Sequence, residues 1–195
     1  FVKVLRMTGN ADTFWVVFFG GAASWLGIYL LLPKPMRIYV LGHELTHVLW
    51  TWLFGGKVKK FKASPKGGHV VITRTNFLII LAPYFFPLYA VLVVLCFLLG
   101  HQIWNWTAIQ VWFHLLIGGA YAFHLTLTWN ALQTCQTDIT SQGYFFSAVV
   151  IFLGNMLVLL LGIPLLAGSQ VSVLTALNWW MQETGTLLQW LARVV

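Results

Sequence analysis

The 195-residue chain is 59% hydrophobic and only 8% charged, far from the roughly 45–50% apolar and about 25% charged residues of soluble domains, so it reads as a membrane protein. Lys and Arg outnumber Asp and Glu by 11 to 4, but the excess falls in short segments between apolar runs, the pattern of topology-setting charges and not of a nucleic-acid face. Nucleic acid is thereby set aside as a partner, and the lipid bilayer takes its place.

Residues 1–13 are mixed in character, and the apolar run after them is too long for the core of a cleavable signal, so no signal peptide is expected. Five stretches, 14–32, 38–55, 77–100, 103–128 and 144–167, approach or exceed the roughly 20 helical residues that cross a hydrocarbon core. All five are expected to be helices. Glycine and proline interrupt them at Gly20-Gly21, Pro83, Pro87, Gly118-Gly119 and Pro164, which membrane helices tolerate when neighbours satisfy the freed backbone groups. With no internal repeat or low-complexity linker, one membrane domain over 1–195 is the economical reading. The expected fold class is an all-α polytopic membrane protein of five transmembrane helices, or six if the tail crosses.

Between the second and third stretches, KVKKFKASPKGGHVVITRT (57–75) carries two β-leaning runs, 58–63 and 70–73, around Pro65-Lys66-Gly67-Gly68. That order reads as a short β-hairpin; the plainer alternative is a basic loop that only sets topology. A hairpin at a membrane surface leaves an edge strand able to accept an extended peptide, with Val70, Val71 and Ile72 as candidate substrate-binding residues. At the other end, VSVLTALNWWMQETGTLLQWLARVV places Glu183 and Gly185 mid-segment, and a carboxylate at the bilayer centre costs about 2.5–3.5 kcal/mol. Residues 170–195 therefore read as an interfacial amphipathic helix in preference to a sixth span, with Trp179, Trp180 and Trp190 at headgroup level.

Loop charges set the orientation. Lys3, Arg6, Lys57, Lys59, Lys60, Lys62, Lys66 and Arg74 fall on the N-terminal side, against Lys34 and Arg37 opposite, joined by Arg193 if the tail does not cross. The N-terminus and the 57–75 loop are then cytoplasmic. Cys96 sits in an apolar run and Cys135 in a polar connection, so no disulfide framework is expected.

The second stretch contains HELTH. His43 and His47 are four residues apart and share one helical face, with Glu44 beside them. This is the HExxH arrangement of zinc hydrolases, in which neutral imidazoles bind the metal and the glutamate handles the proton of an activated water. An ionisable triplet inside an apolar span is a functional-site hypothesis by default. A catalytic zinc needs a third protein ligand. Asp12 and Glu183 lie near the chain ends, whereas Asp138 lies in NALQTCQTDITSQGYFF between the fourth and fifth stretches, where capping or loop solvation is its alternative role. His114 and His124 remain open as ligands or as buried, hydrogen-bonded histidines, while His69 and His101 read as exposed bystanders. Asn155 reads as an interhelical hydrogen-bonding residue.

HELTHVLWTWLFGG (43–56) in a membrane helix, the basic hairpin-like segment after it and the distal Asp138 together resemble the site-2 proteases, intramembrane zinc metalloproteases that cut substrate helices within or near the bilayer. The resemblance covers residues 38–145 and implies Zn2+ held by His43, His47 and Asp138, with Glu44 as general base and then general acid. It also implies an outside-to-inside HExxH helix and a hairpin dipping into the membrane to present substrate. That family carries an Asn eight residues before the Asp; Asn130 stands there in this chain, which implies a retained contact to the substrate backbone. The family's intervening prolines are missing and Ile139 replaces the glycine after the Asp, marking a divergent branch.

The spans as drawn place Asp138 beyond the inner end of 103–128 but the two histidines in the outer half or centre of 38–55. Either the HELTH helix begins near Pro35, or residues 130–140 are partly unwound or re-entrant. The clustered Asn, Gln and Thr favour the second. The expected function is hydrolysis of peptide bonds in membrane-embedded protein or peptide substrates. The competing reading is a non-proteolytic membrane subunit that keeps the fold, and the zinc with it, to assemble or anchor a membrane complex. A metal transporter is weaker, since transport calls for ligands along a path.

Overall fold

A computed structural model describes residues 2–8, 12–65, 67–167 and 172–194. Lys66 and residues 170 and 171 of the tail lie outside them, and for Asp12 only the backbone is described. In chain order the elements are α1 (Val2–Thr8), α2 (Asp12–Leu31), α3 (Met36–Leu53), β1 (Val58–Ser64), β2 (Gly67–Ile72), α4 (Phe77–Leu81), α5 (Leu88–Trp104), α6 (Gln110–Leu132), α7 (Thr137–Gln142), α8 (Tyr144–Leu166) and α9 (Val173–Val194), with single 3-10 turns before α5 and α6. The chain is mostly helical, with one small sheet.

Three helices are long and apolar enough to cross a membrane: Thr13–Leu31 within α2, Trp106–Leu132 including α6, and α8. A fourth is reached if α4 with its 3-10 turn and α5 count as one span, though the two parts are bent by 80°. The described residues thus supply three or four such helices against the five or six expected. The third expected stretch bends where Pro87, with no N–H to give, opens α5. The second forms α3, but His43, Glu44, His47 and Arg37 lower its hydropathy. The tail forms the one-sided helix α9, which is not among the spanning candidates either.

The expected hairpin is present. β1 and β2 pair antiparallel, with Lys62 opposite His69, Phe61 opposite Val70 and Lys60 opposite Val71, and an irregularity between Val58 and Lys60. Alternating exposure along β2 follows the period of two of a strand with one covered face.

The chain sorts into two compact units, where the sequence suggested a single domain. The larger is Val17–Asn155, and it contains the whole HELTH-to-Asp138 segment. Within it, α2 and α6 cross at Gly21 and Gly118, where a Cβ on either residue would run into the other helix's backbone; small residues are what permit such closeness between membrane helices. Tyr39 and Val40 of α3 pack on Leu127 and Ala131 of α6. A second cluster joins Leu81, Ala82, Tyr84, Phe85 and Ile139, tying the α4–α5 bend to α7. The smaller unit, 1–16 with 156–195, packs Val4, Leu160, Ile163 and Ala176 together and pairs Lys3 with Glu183 at its surface.

Candidate metal centre

α3 begins directly after Pro35, whose fixed φ suits a helix start. It presents His43 and His47 on one face, with ring centroids 5.0 Å apart. Asp138 arrives from α7, a six-residue helix begun by bonds from Ile139 and Thr140 N–H to the Gln136 carbonyl. The buried Ile139 anchors α7 beside Tyr84, so the neighbouring carboxylate turns toward α3. Asp138 Oδ2 lies 3.3 Å from His43 Nε2 and 3.5 Å from His47 Nε2. One ligand atom from each of the three residues falls within 4.8 Å of the others, so the group could hold a metal ion. His114 and His124, the other two candidates for third ligand, are buried on α6 and do not belong to that group.

The tautomer of His47 follows from its surroundings. His47 Nδ1 lies 2.9 Å from the Ile79 carbonyl, and a carbonyl only accepts, so Nδ1 carries the proton. That carbonyl is free because its helical partner four residues on would be Pro83, which has no N–H. In the neutral ring Nε2 then holds a lone pair facing a carboxylate at 3.5 Å. Two acceptors at that separation are favourable only with a cation between them, whether a proton or a metal ion. Donation of the second ring nitrogen to a carbonyl is the usual support of a metal-bound histidine. Burial by itself would raise the carboxyl pKa of Asp138, but the two imidazoles outweigh it and hold the group below the usual carboxylate range, ionised and ready as a ligand.

Glu44 is buried at 7% exposure beside the histidines and is not one of the three ligating residues. Its side chain lies against Gly68 of β2, where an added Cβ would come within 2.6 Å of Glu44 Cγ and 2.7 Å of Oε1. Glu44 also lines a groove of about 260 Å3 with His43, Tyr39, Gly68, Asn130 and Gln136. Thus the hairpin, the HELTH helix and the end of α6 converge on one opening. Val70, Val71 and Ile72 are not among the residues lining it; they stand further along β2, paired with Phe61, Lys60 and Val58.

No family model, curated protein or solved structure matches the chain. The site therefore rests on its own geometry.

The span mismatch does not arise in the structure: Lys34 meets Asn130, and Tyr39 and Val40 pack on Leu127 and Ala131, so the end of α6 lies beside the start of α3 and not at its opposite end as the spans are drawn. α3 starts at Met36, close to Pro35, and α6 runs on to Leu132, after which 133–136 are non-helical and lead into α7. Two neighbours of the site had no signal in the sequence. Tyr84 donates to Asp138 Oδ2 at 3.1 Å, and Lys34 donates to Asn130 Oδ1 at 2.7 Å. Tyr84 is one aromatic residue in an apolar run, and Lys34 looks like a loop charge until the fold brings α2's end to α6. Asn155 behaves as expected, donating to the Tyr84 carbonyl at 3.2 Å. His69 is exposed, His101 closes the last turn of α5, and both cysteines are free.

Proposed function

We propose that this chain is an intramembrane zinc metalloprotease of the site-2 kind, hydrolysing peptide bonds of membrane-embedded substrates. One observation carries the reading: His43, His47 and Asp138 converge while Glu44, buried beside them and outside the ligand group, lines the groove that contains Asn130 and Gly68. A metal kept only for structure needs no such neighbour, which weighs against the non-proteolytic subunit. The donor set of two imidazoles and one carboxylate suits zinc with a position left open. Bound there, zinc would supply a Lewis acid that activates water and polarises the scissile carbonyl.

The chain's own residues do the rest. Glu44 takes a proton from the attacking water and returns it to the leaving amine. Lys34 occupies the Asn130 carbonyl oxygen, leaving the amide N–H groups to bind a backbone carbonyl of an extended substrate. The β2 end of the hairpin lies along the same groove and offers a strand edge to that peptide. We read α3 as a fifth membrane-embedded segment, with the N-terminus and the hairpin's base at Lys57 and Arg74 on the cytoplasmic side and its tip in the groove beside Asn130, and α9 as interfacial.

The purified chain is expected to hold about one zinc, and Glu44→Gln to abolish cleavage of a membrane-embedded reporter while keeping the metal. Asp138→Ala is expected to lose zinc more completely than His124→Ala. Cleavage that survives Glu44→Gln removes the catalytic assignment; metal loss that follows His124 instead of Asp138 removes the ligand assignment.

A further inference from the structure

Behind the metal-facing edge of His43 lies a second set of buried polar atoms. His43 Nδ1 and His124 Nε2 are buried with no hydrogen-bond partner among the described residues, and the Tyr39 hydroxyl, buried beside Thr128, makes no hydrogen bond of normal geometry. All three residues line one cavity between α3, α5 and α6, with about 20 Å3 of room for water centres. A single water needs about 10–15 Å3 on that measure and commonly makes about three hydrogen bonds to otherwise unsatisfied groups. The remaining walls are Gly42, Pro83, Phe86, Leu88 and Phe123, with Thr46 and Tyr89, whose hydroxyls already donate to the Gly42 and Ile38 carbonyls. Leaving three polar atoms unpaired would cost about 1–3 kcal/mol each, so the chemistry of the lining calls for a small molecule that both donates and accepts.

We propose that His124 is a positioning residue for the metal ligand His43, acting through one water held in this cavity. The proposal rests on the metal reading of His43, His47 and Asp138. The water accepts from His43 Nδ1–H and the Tyr39 hydroxyl and donates to His124 Nε2, which satisfies all three atoms. Protonation of His43 at Nδ1 leaves its Nε2 lone pair for the metal. His43 thereby receives through water what His47 receives directly from the Ile79 carbonyl, the support at the second ring nitrogen that metal-bound histidines ordinarily have. His124 is thus neither a ligand nor an isolated core histidine.

The test titrates zinc into metal-stripped full-length protein in detergent, with cobalt(II) as the spectroscopic probe of the coordination sphere. His124→Leu is expected to weaken zinc roughly 10–100-fold, the usual loss for a partner of this type, and to alter the cobalt spectrum. His124→Gln, which keeps an acceptor, is expected to restore both. Tyr39→Phe removes one hydroxyl with little change of shape and is expected to weaken zinc about fivefold, so the idea stays testable if the leucine variant misfolds. Wild-type zinc affinity in His124→Leu and Tyr39→Phe overturns the positioning role and leaves the metal reading standing; a wild-type chain that takes up neither zinc nor cobalt overturns both. Equal weakening in His124→Leu and His124→Gln, with no spectral recovery, also overturns it, because loss of packing alone then accounts for the effect.

Discussion

Asp138 Oδ2 faces three groups at once: His43 at 3.3 Å, His47 at 3.5 Å and the Tyr84 hydroxyl at 3.1 Å. Protons and a metal ion compete for the imidazole nitrogens there. Zinc occupancy is therefore expected to fall as pH drops and protons displace the metal from the imidazole nitrogens, and to recover on return to neutral pH; dialysis against a zinc buffer followed by metal analysis checks this. Gly68 sets a different constraint. Because Glu44 occupies the space a side chain would take, Gly68→Ala is expected to push Glu44 away from the ligand face and cut turnover by tenfold or more, one extra proton-transfer distance being enough for that. Zinc content should not change, and a paired assay of metal and cleavage separates the two effects. The HExxH spacing was legible in the sequence because two side chains four apart on a helix must share a face. Tyr84 and Lys34 were not, because their partners are 54 and 96 residues away.

At the scale of elements, α4 shows how a weak helix becomes a fixed support. Five residues are far below the length at which a helix holds itself, roughly 12–15 residues. Asn76 caps it, accepting from Ile79 N–H at 2.9 Å, while Ile79 and Leu81 are fully buried. The same Ile79 then offers its carbonyl to His47. Asn76→Ala is expected to cost about 1 kcal/mol of stability, the common value of such a cap, and to weaken zinc by a smaller factor than Asp138→Ala; denaturation midpoints with zinc titration would check both. The hairpin was legible from its β-leaning runs and the Pro-Lys-Gly-Gly turn. Its contact residues were not: Gly67 and Gly68 meet the groove, whereas Val70, Val71 and Ile72 stand further along the strand. Register and approach angle, decided by packing on α3, choose which residues of a strand face a site.

For the whole molecule, the proposed orientation places Lys34 and the base of the hairpin, Lys57 and Arg74, on opposite sides of the bilayer, while the hairpin's tip folds back along α3 to the groove beside Asn130. Single cysteines at positions 34 and 57, in a Cys96→Ala, Cys135→Ala background, are expected to react with a membrane-impermeant thiol reagent from opposite faces of sealed vesicles, position 57 from the cytoplasmic face. Labelling of both from one face would reverse or collapse the topology. Composition and hydropathy settled by themselves that long apolar helices dominate the chain, and the period-four histidines with an adjacent glutamate marked the site, because both signals are local and survive in a linear string. Tertiary structure decided the rest. It selected Asp138 over His114 and His124 as the carboxylate or imidazole that meets His43 and His47, bent the third apolar stretch by 80°, and divided the chain into two compact units. Those outcomes depend on which surfaces bury one another across 90 and more residues of chain, and such contacts leave no period in the sequence to read.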